Sequence, residues 1–286
     1  MVVFPHIKVN IGLYITSKRP DEYHNIESVF YPVPWAETLE ICDRYETAWE
    51  SEEIVQKAEA GKVRFMSYGI EVPGEVEENL CIKVYQRLDE WFNLPAIDVH
   101  LLKTLPIGAG LGGGSSDAAF MLKALKEYFN LTLSDKEAMD ILAEIGSDCP
   151  FFWKDRPMFV FGRGEQMRPI ELDLSGYYLL VVNPGIHIST KEAYSGVNPT
   201  PPPIDLNLLS TLEVKDWKGL IHNDFEKSIF PNYPEIETMK NEMYSLGAEY
   251  AQMTGSGSSV YGLFRKEVDV PQAWQSLSHW QGPLAH

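Results

Sequence analysis

The 286-residue sequence predicts an α+β fold, and three observations carry that reading. Segments with strand-like alternation gather near the N-terminus and again beyond the middle of the chain. Amphipathic helical stretches are grouped between and after them. The order in which the two kinds follow one another is irregular, unlike the regular strand-helix alternation that builds a doubly wound parallel sheet.

Taken in order, VNIGLYIT (9–16), NIESVFYPV (25–33) and TLEICDRY (38–45) alternate like strands, and the turn-like SKRPDEYH (17–24) separates the first two. Residues 50–75 are polar with short apolar patches and predict no particular element. EENLCIKVYQRLDEWFNL (77–94) repeats its apolar positions at helical spacing, through Leu80, Ile82, Val84, Tyr85, Leu88, Trp91 and Phe92. AIDVHLL (96–102) alternates again and runs into a glycine-rich stretch, after which Ala118, Ala119, Leu122 and Leu125 mark a helix. A further helix over 134–146 is announced by Ser134 with Glu137 three residues on, a capping box, and by Gly146 at its end. A second region begins after SDCPFFW (147–153). It holds strands in 158–170 and 176–185, a proline-rich loop or linker (198–206), a helix (233–247), and a strand-loop-strand segment over 248–264.

Composition narrows the function. A chain with 44% hydrophobic residues can build a sizeable core, as one large domain or two of about 140 residues. The formal net charge of −17 repels polyanions and argues against nucleic-acid or anionic-membrane partners. No apolar run approaches the roughly 18 residues that span a bilayer. The N-terminus, broken by His6, Lys8 and Asn10, lacks a signal-peptide core, so the expected location is the cytoplasm. Cys42, Cys81 and Cys149 are scattered and odd in number, without metal-binding spacing, and are expected as small buried residues.

LPIGAGLGGGSSDAAF (105–120) is the most informative stretch. Gly108, Gly110 and Gly113 satisfy G-x-G-x-x-G, but no clear βαβ unit surrounds them, as a dinucleotide fold requires. The residues after the last glycine are Ser115 and Ser116, so the lysine of a Walker A loop is missing. What remains is a backbone that approaches a ligand closely with φ of either sign, followed by a helix whose N-terminal N–H groups favour phosphate. An acidic chain that holds a triphosphate needs such dipoles. A surface loop with an ordinary helix cap is the alternative. MTGSGSS (253–259) is a second small-residue loop, equally readable as a hairpin turn.

Three stretches together, PHIKVNIGLYI (5–15), LPIGAGLGGGSSDAA (105–119) and MTGSGSSVYGLF (253–264), resemble the three signature segments of the GHMP kinases, and their order spans essentially the whole chain. Within that family, KVNIGLYITSKRPDEYHNIESVF, ENL (78–80), GSDCPFF (146–152) and NPGIHISTKEAY (183–194) are most similar to the branch acting on a cytidine diphosphate-linked methylerythritol. The resemblance implies a two-domain architecture. A ribosomal protein S5 domain 2-like N-terminal domain (1–154) carries the glycine loop, and a ferredoxin-like C-terminal domain (155–286) follows. It further implies ATP as donor, Mg2+ as helper, and phosphorylation of the acceptor's 2-hydroxyl in isoprenoid precursor biosynthesis.

Residue roles follow by matching position. Phosphoryl transfer to a hydroxyl needs neutralised phosphate charge, in-line positioning and a proton acceptor. Asp148 lies between a glycine turn and an aromatic run, where partial desolvation raises basicity, although a loop-capping role fits its position equally. Its family counterpart is the catalytic base. Lys8 could be an edge-strand lysine facing water; its counterpart stands beside the base and stabilises charge in transfer. The resemblance assigns nucleotide binding to Pro106, Ile107, Gly108, Ala109, Gly110, Leu111, Gly112, Gly113, Gly114, Ser115 and Ser116, with Lys103 and Asn79 on the nucleotide side. It assigns the cytidine-bearing substrate to Asn10, Tyr23, His24, Thr190 and Tyr194, the rings of Tyr23 and Tyr194 stacking on the base. Two positions depart from the family pattern: Ala109 and Glu22 stand where glycine is common. Other readings remain open at this point: a GHMP kinase for homoserine, mevalonate or a sugar, or a nucleotide-binding module without transfer activity. A dinucleotide oxidoreductase is a more distant one.

Overall fold

The computed structural model describes residues 1–45 and 51–284. In chain order the strands are β1 (Val2–Val3), β2 (His6–Lys18), β3 (His24–Ala36), β4 (Thr38–Asp43), β5 (Gln56–Ala60), β6 (Val63–Gly69) and β7 (Ile97–Lys103). They continue with β8 (Met158–Gly162), β9 (Gln166–Pro169), β10 (Tyr178–Asn183), β11 (Tyr250–Met253), β12 (Val260–Phe264) and β13 (Ser278–Pro283). The α-helices are α1 (Leu80–Phe92), α2 (Gly113–Tyr128), α3 (Asp135–Ile145), α4 (Cys149–Lys154), α5 (Thr190–Ser195), α6 (Asp224–Ile229) and α7 (Pro234–Ser245). Contacts divide the chain into two compact units. One comprises Met1–Ile7, Trp35–Ile107 and Gly113–Asp155; the other comprises Lys8–Pro34, Gly108–Gly112 and Arg156–His286.

The first unit is a five-stranded sheet in the order β1-β4-β7-β6-β5, with α1 to α4 packed together. Among the described residues of this sheet, β6 and β7 pair parallel and the other neighbours antiparallel. The β5–β6 hairpin lies in the stretch for which the sequence predicts no element. Its turn places Gly61 at φ +64°, and β6 is buried from Val63 to Ser67. A buried arginine breaks the apolar pattern there: Arg64 makes a two-pronged ion pair with Asp98 across the β6–β7 register, at 2.9 and 2.5 Å. Charge pairing of this kind is what lets an arginine occupy a core strand. Helix α1 starts at Asn79, whose side chain accepts from Cys81 N–H, and ends at Asn93 in the left-handed region. Helix α3 has the predicted capping box, Ser134 with Glu137. All three cysteines are free, Cys81 and Cys149 buried and Cys42 half-buried.

The second unit holds two four-stranded sheets, β2-β3-β8-β9 and β11-β12-β10-β13. In the second of these, β10 pairs antiparallel with both β12 and β13. Helix α7 packs on β11 and β12. Leu180, Val182, Met239, Met243, Met253 and Phe264 belong to the core of this part. The mixed α+β class expected from the irregular element order is therefore the class observed.

Candidate active site

The glycine loop begins in the second unit with an alternation of handedness. Gly108, Gly110 and Gly112 have φ of +63°, +75° and +76°, while Ala109 and Leu111 between them stay in the ordinary half of the map. Ala109 is thus at a position where a Cβ is tolerated, in place of the family's common glycine. Among the described residues, no acceptor takes the N–H of Gly108, Gly110 or Gly112. Successive N–H groups in alternating conformations form a concave anion site. The glycines do not all serve the same purpose. A Cβ on Gly110 would lie 2.1 Å from the carbonyl oxygen of Thr254, and one on Gly255 2.9 Å from Gly110 Cα, so these two are required by backbone-to-backbone packing. Gly114, by contrast, has nothing within 4 Å of a would-be Cβ.

In the first unit, α2 opens at Gly113. Ser116 Oγ and Asp117 Oδ1 are buried there without a hydrogen-bond partner among the described residues. Lys103, at the end of β7, is only 3% exposed; its ammonium donates to Glu37 Oε1 at 2.5 Å and Asp117 Oδ2 at 2.7 Å. Glu37 also receives Thr104 N–H and Leu105 N–H on its second oxygen, at 3.0 and 3.2 Å. Burial opposes the charge on Lys103, yet Asp117 and Glu37 outweigh it and raise its pKa. Burial pushes Asp117 well above the usual carboxylate range, against the pull of Lys103. The Lys103 ammonium is therefore engaged with two buried acids. Asn79, the other residue expected on the nucleotide side, caps α1.

Lys8 and Asn10 lie on β2, buried with 3% and 1% exposure, so Lys8 is not the solvent-facing lysine that its position alone allowed. Lys8 Nζ donates to Asn10 Oδ1 at 2.6 Å and sits 4.1 Å from the centroid of the Phe30 ring. Asn10 Nδ2 donates to Ser28 Oγ at 2.9 Å, and Asn10 N–H donates to Thr254 Oγ1 at 3.0 Å. Asp148, in the first unit, is the half-buried N-cap residue of α4, and its side chain caps no N–H of that helix. Cys149 beside it is inert: burial pushes the thiol to about 12, offset in part by the Ser115 hydroxyl.

The aromatic residues divide. His24 and Tyr194 stack, ring centroids 4.9 Å apart at 20°, and Tyr194 meets Phe225 edge-on at 4.8 Å. Burial, with Lys18 nearby, lowers the His24 pKa. Tyr23 is 59% exposed, its ring 5.1 Å from the Arg163 guanidinium carbon. Just before it, Glu22 occupies the left-handed region at φ +66°, the conformation for which glycine is suited. Thr190 is exposed at the first turn of α5.

The second unit thus holds main-chain N–H groups suited to phosphate and a buried lysine, and the first unit holds a carboxylate at a helix start. Residues 79–163 match the GHMP kinases N terminal domain, and residues 207–281 match the GHMP kinases C terminal domain. The chain belongs to the GHMP kinase family. A *Bacteroides fragilis* family member, 4-diphosphocytidyl-2-C-methyl-D-erythritol kinase, is 48% identical over 270 residues, 94% of each chain. The *Parabacteroides distasonis* protein of the same name is 44% identical over 289 residues, the full length of both. The crystal structure of a 4-(cytidine 5'-diphospho)-2C-methyl-D-erythritol kinase superposes with a TM-score of 0.76 at 27% identity, over 99% of this chain and 98% of that one. Homoserine kinase from *Cytophaga hutchinsonii* shares the fold at a TM-score of 0.59 and 16% identity, with 97% and 94% covered.

Three GHMP-fold residues of note escape a reading of the sequence: Glu37, Asp117 and Thr254. Asp117 is a helical acid next to two serines and gives no sign of its burial. Glu37 follows a strand whose pattern is otherwise apolar, the one faint signal of a charge held inside.

Proposed function

We propose that this chain transfers the γ-phosphoryl group of ATP to the 2-hydroxyl of 4-diphosphocytidyl-2-C-methyl-D-erythritol, in the cytoplasm, within the methylerythritol phosphate route to isoprenoid precursors. The observation that carries the reading is the loop of alternating φ at 108–112, whose N–H groups have no acceptor among the described residues. Relatives of that name, 44–48% identical over 94% or more of this chain, support the choice of acceptor. Among the described residues, no helix is long and apolar enough to cross a membrane.

In this reading the loop from Pro106 to Ser116 holds the phosphates, with Asn79 and Lys103 on the nucleotide side. Asp148 accepts the proton of the attacking hydroxyl. Lys8 stabilises charge that develops between that hydroxyl and the phosphorus. Tyr23, His24 and Tyr194 hold the cytosine, and Asn10 and Thr190 contribute polar contacts. The expected domains, 1–154 and 155–286, remain part of the proposal.

A Mg2+ ion fits this donor set in a limited way. Among the described residues no group of three or more His, Cys, Asp or Glu could hold a metal. Magnesium bound with ATP needs only one or two protein oxygens besides phosphate and water, and Ser116 Oγ at the start of α2, without a hydrogen-bond partner among the described residues, is the oxygen that would hold it. Such an ion would supply neutralisation of phosphate charge.

The test is ADP release from Mg-ATP with four acceptors: the cytidyl-methylerythritol compound, mevalonate, homoserine and galactose. Turnover with the first alone is expected. Turnover with another acceptor and none with the first would overturn the reading. Asp148→Asn and Lys8→Ala are each expected to lower kcat by about 10²-fold or more; near-normal rates in both folded variants would remove these residues from the mechanism.

A further inference from the structure

The carbonyl side of the glycine loop is anchored at three successive peptides. Ala109 O accepts from Ser259 N–H at 3.3 Å, Gly110 O from the Thr254 hydroxyl at 3.1 Å, and Leu111 O from Lys8 N–H at 3.0 Å. A trans peptide directs its N–H opposite to its carbonyl. Holding these three oxygens therefore turns the N–H groups of Gly110, Leu111 and Gly112 away from the anchors, and the alternating φ values bring them to one concave side. Two anchors are main-chain groups of the first and third signature segments. Thr254 is the one side chain among the three.

The hydroxyl of Thr254 is fully committed. It accepts Asn10 N–H at 3.0 Å, which leaves its single proton for Gly110 O at 3.1 Å or Asn10 Oδ1 at 3.3 Å. Asn10 Oδ1 already accepts the Lys8 ammonium at 2.6 Å, so Gly110 O is the nearer and less occupied acceptor. Thr254 is completely buried, and the Gly110 backbone lies against its carbonyl too closely for any Cβ. Water cannot replace the hydroxyl in so tight a contact.

We propose that Thr254 is a positioning residue for the phosphate cradle: its hydroxyl holds the Gly110–Leu111 peptide so that Leu111 N–H faces the nucleotide phosphates. This deepens the reading of the loop as an ATP site and rests on it. The third signature segment thereby acts as the backing of the second, and the same hydroxyl ties that backing to Asn10 and, through it, to Lys8.

The experiment measures binding of ATP and, separately, of the cytidyl-methylerythritol acceptor by calorimetry, for wild type, Thr254→Val and Thr254→Ser. Thr254→Val keeps the shape and loses both the donor to Gly110 O and the acceptor of Asn10 N–H. Its ATP affinity is expected to fall on the order of tenfold, the effect of one misplaced hydrogen bond to a charged group. Thr254→Ser is expected to stay within about threefold of wild type, and in Thr254→Val, where Asn10 N–H also loses its acceptor, acceptor affinity is expected to fall clearly less than ATP affinity. ATP binding by Thr254→Val equal to wild type overturns the assignment. So does a Thr254→Ser variant as weak as Thr254→Val, or acceptor affinity that falls in step with ATP affinity. Wild type that binds no ATP overturns the cradle reading itself, and the assignment with it. Should Thr254→Val not fold, Thr254→Ala read against Thr254→Ser gives the same comparison with the same outcomes.

Discussion

Lys8 and Asn10 are joined by a 2.6 Å hydrogen bond, ammonium to side-chain oxygen, and both are almost completely buried. A buried cation depends on each of its acceptors. Asn10→Ala is expected to lower kcat by about tenfold or more, and Lys8→Ala by about 10²-fold. Because Asn10 acts on Lys8, the double variant should be no slower than Lys8→Ala alone. Steady-state kcat values for the three proteins check this; additive losses would separate the two residues.

The His24–Tyr194 stack predicts how the acceptor is held and how that depends on pH. Stacking on a base is worth about 1–3 kcal/mol, so Tyr194→Ala should raise acceptor KM on the order of tenfold and leave ATP KM alone. Burial, then Lys18, lowers the His24 pKa from the ordinary 6.5, so the ring stays neutral in the folded protein below that pH. A depressed histidine charges first in the unfolded chain. Its contribution to stability is full above 6.5 and declines as pH falls toward the folded value. Acceptor KM should accordingly be flat from about pH 8 to about 6.5 and climb only below. A rise within that interval would contradict the neutral stack.

Lys103 carries two carboxylates inside the first unit. Lys103→Met leaves them facing one another in a buried site and should destabilise the fold by about 3–5 kcal/mol in urea titrations. Asp117 has a raised pKa, caused first by burial, so the folded chain keeps a proton that the unfolded chain releases. Stability from this group is greatest below the unfolded value of 3.8 and is lost as pH rises through the folded value. Asp117→Asn imitates the protonated form and lacks that loss. The stability of Asp117→Asn relative to wild type should therefore grow as pH rises above 3.8.

Two glycines of the loop should separate folding from binding. Gly110→Ala places a methyl 2.1 Å from a backbone oxygen at φ +75°, so both stability and ATP binding should be lost. Gly114 is helical and has open space around it, and alanine there should leave the melting temperature unchanged or raise it, by about 0.5–1 kcal/mol of stability. If phosphates occupy that space, Gly114→Ala raises ATP KM all the same. Thermal melts and ATP kinetics on both variants decide the matter.

Much of this architecture could be read ahead of the coordinates where local chemistry was strong. The capping box of Ser134 and Glu137, the apolar stripe of α1 and the glycine run before α2 each announced their elements. The β5–β6 hairpin did not, because QKAEA is short and polar and Arg64 disguises a buried strand. Helices α5 and α6, six residues each, are too short to display a 3.6-residue period. In β13, Ser278, Gln281, Gly282 and Pro283 carry little strand preference; pairing with β10 decides its state. Asp148, Lys8 and the loop stood out through their motifs. Partners such as Glu37 to Lys103, 66 residues apart, and Asn10 to Thr254, 244 residues apart, leave no trace in a linear pattern.

The proposed cradle at 108–112 presents peptide groups, and its side chains are those of Ala109 and Leu111, both buried, between three glycines. Mutational scans that trim side chains to alanine will therefore misjudge it. Deleting atoms there removes almost nothing the ligand senses, while adding one carbon can erase the feature. A map of this region drawn from truncations would report the packing of the buried Leu111 side chain, whereas one drawn from insertions of bulk would show the outline of the peptide groups.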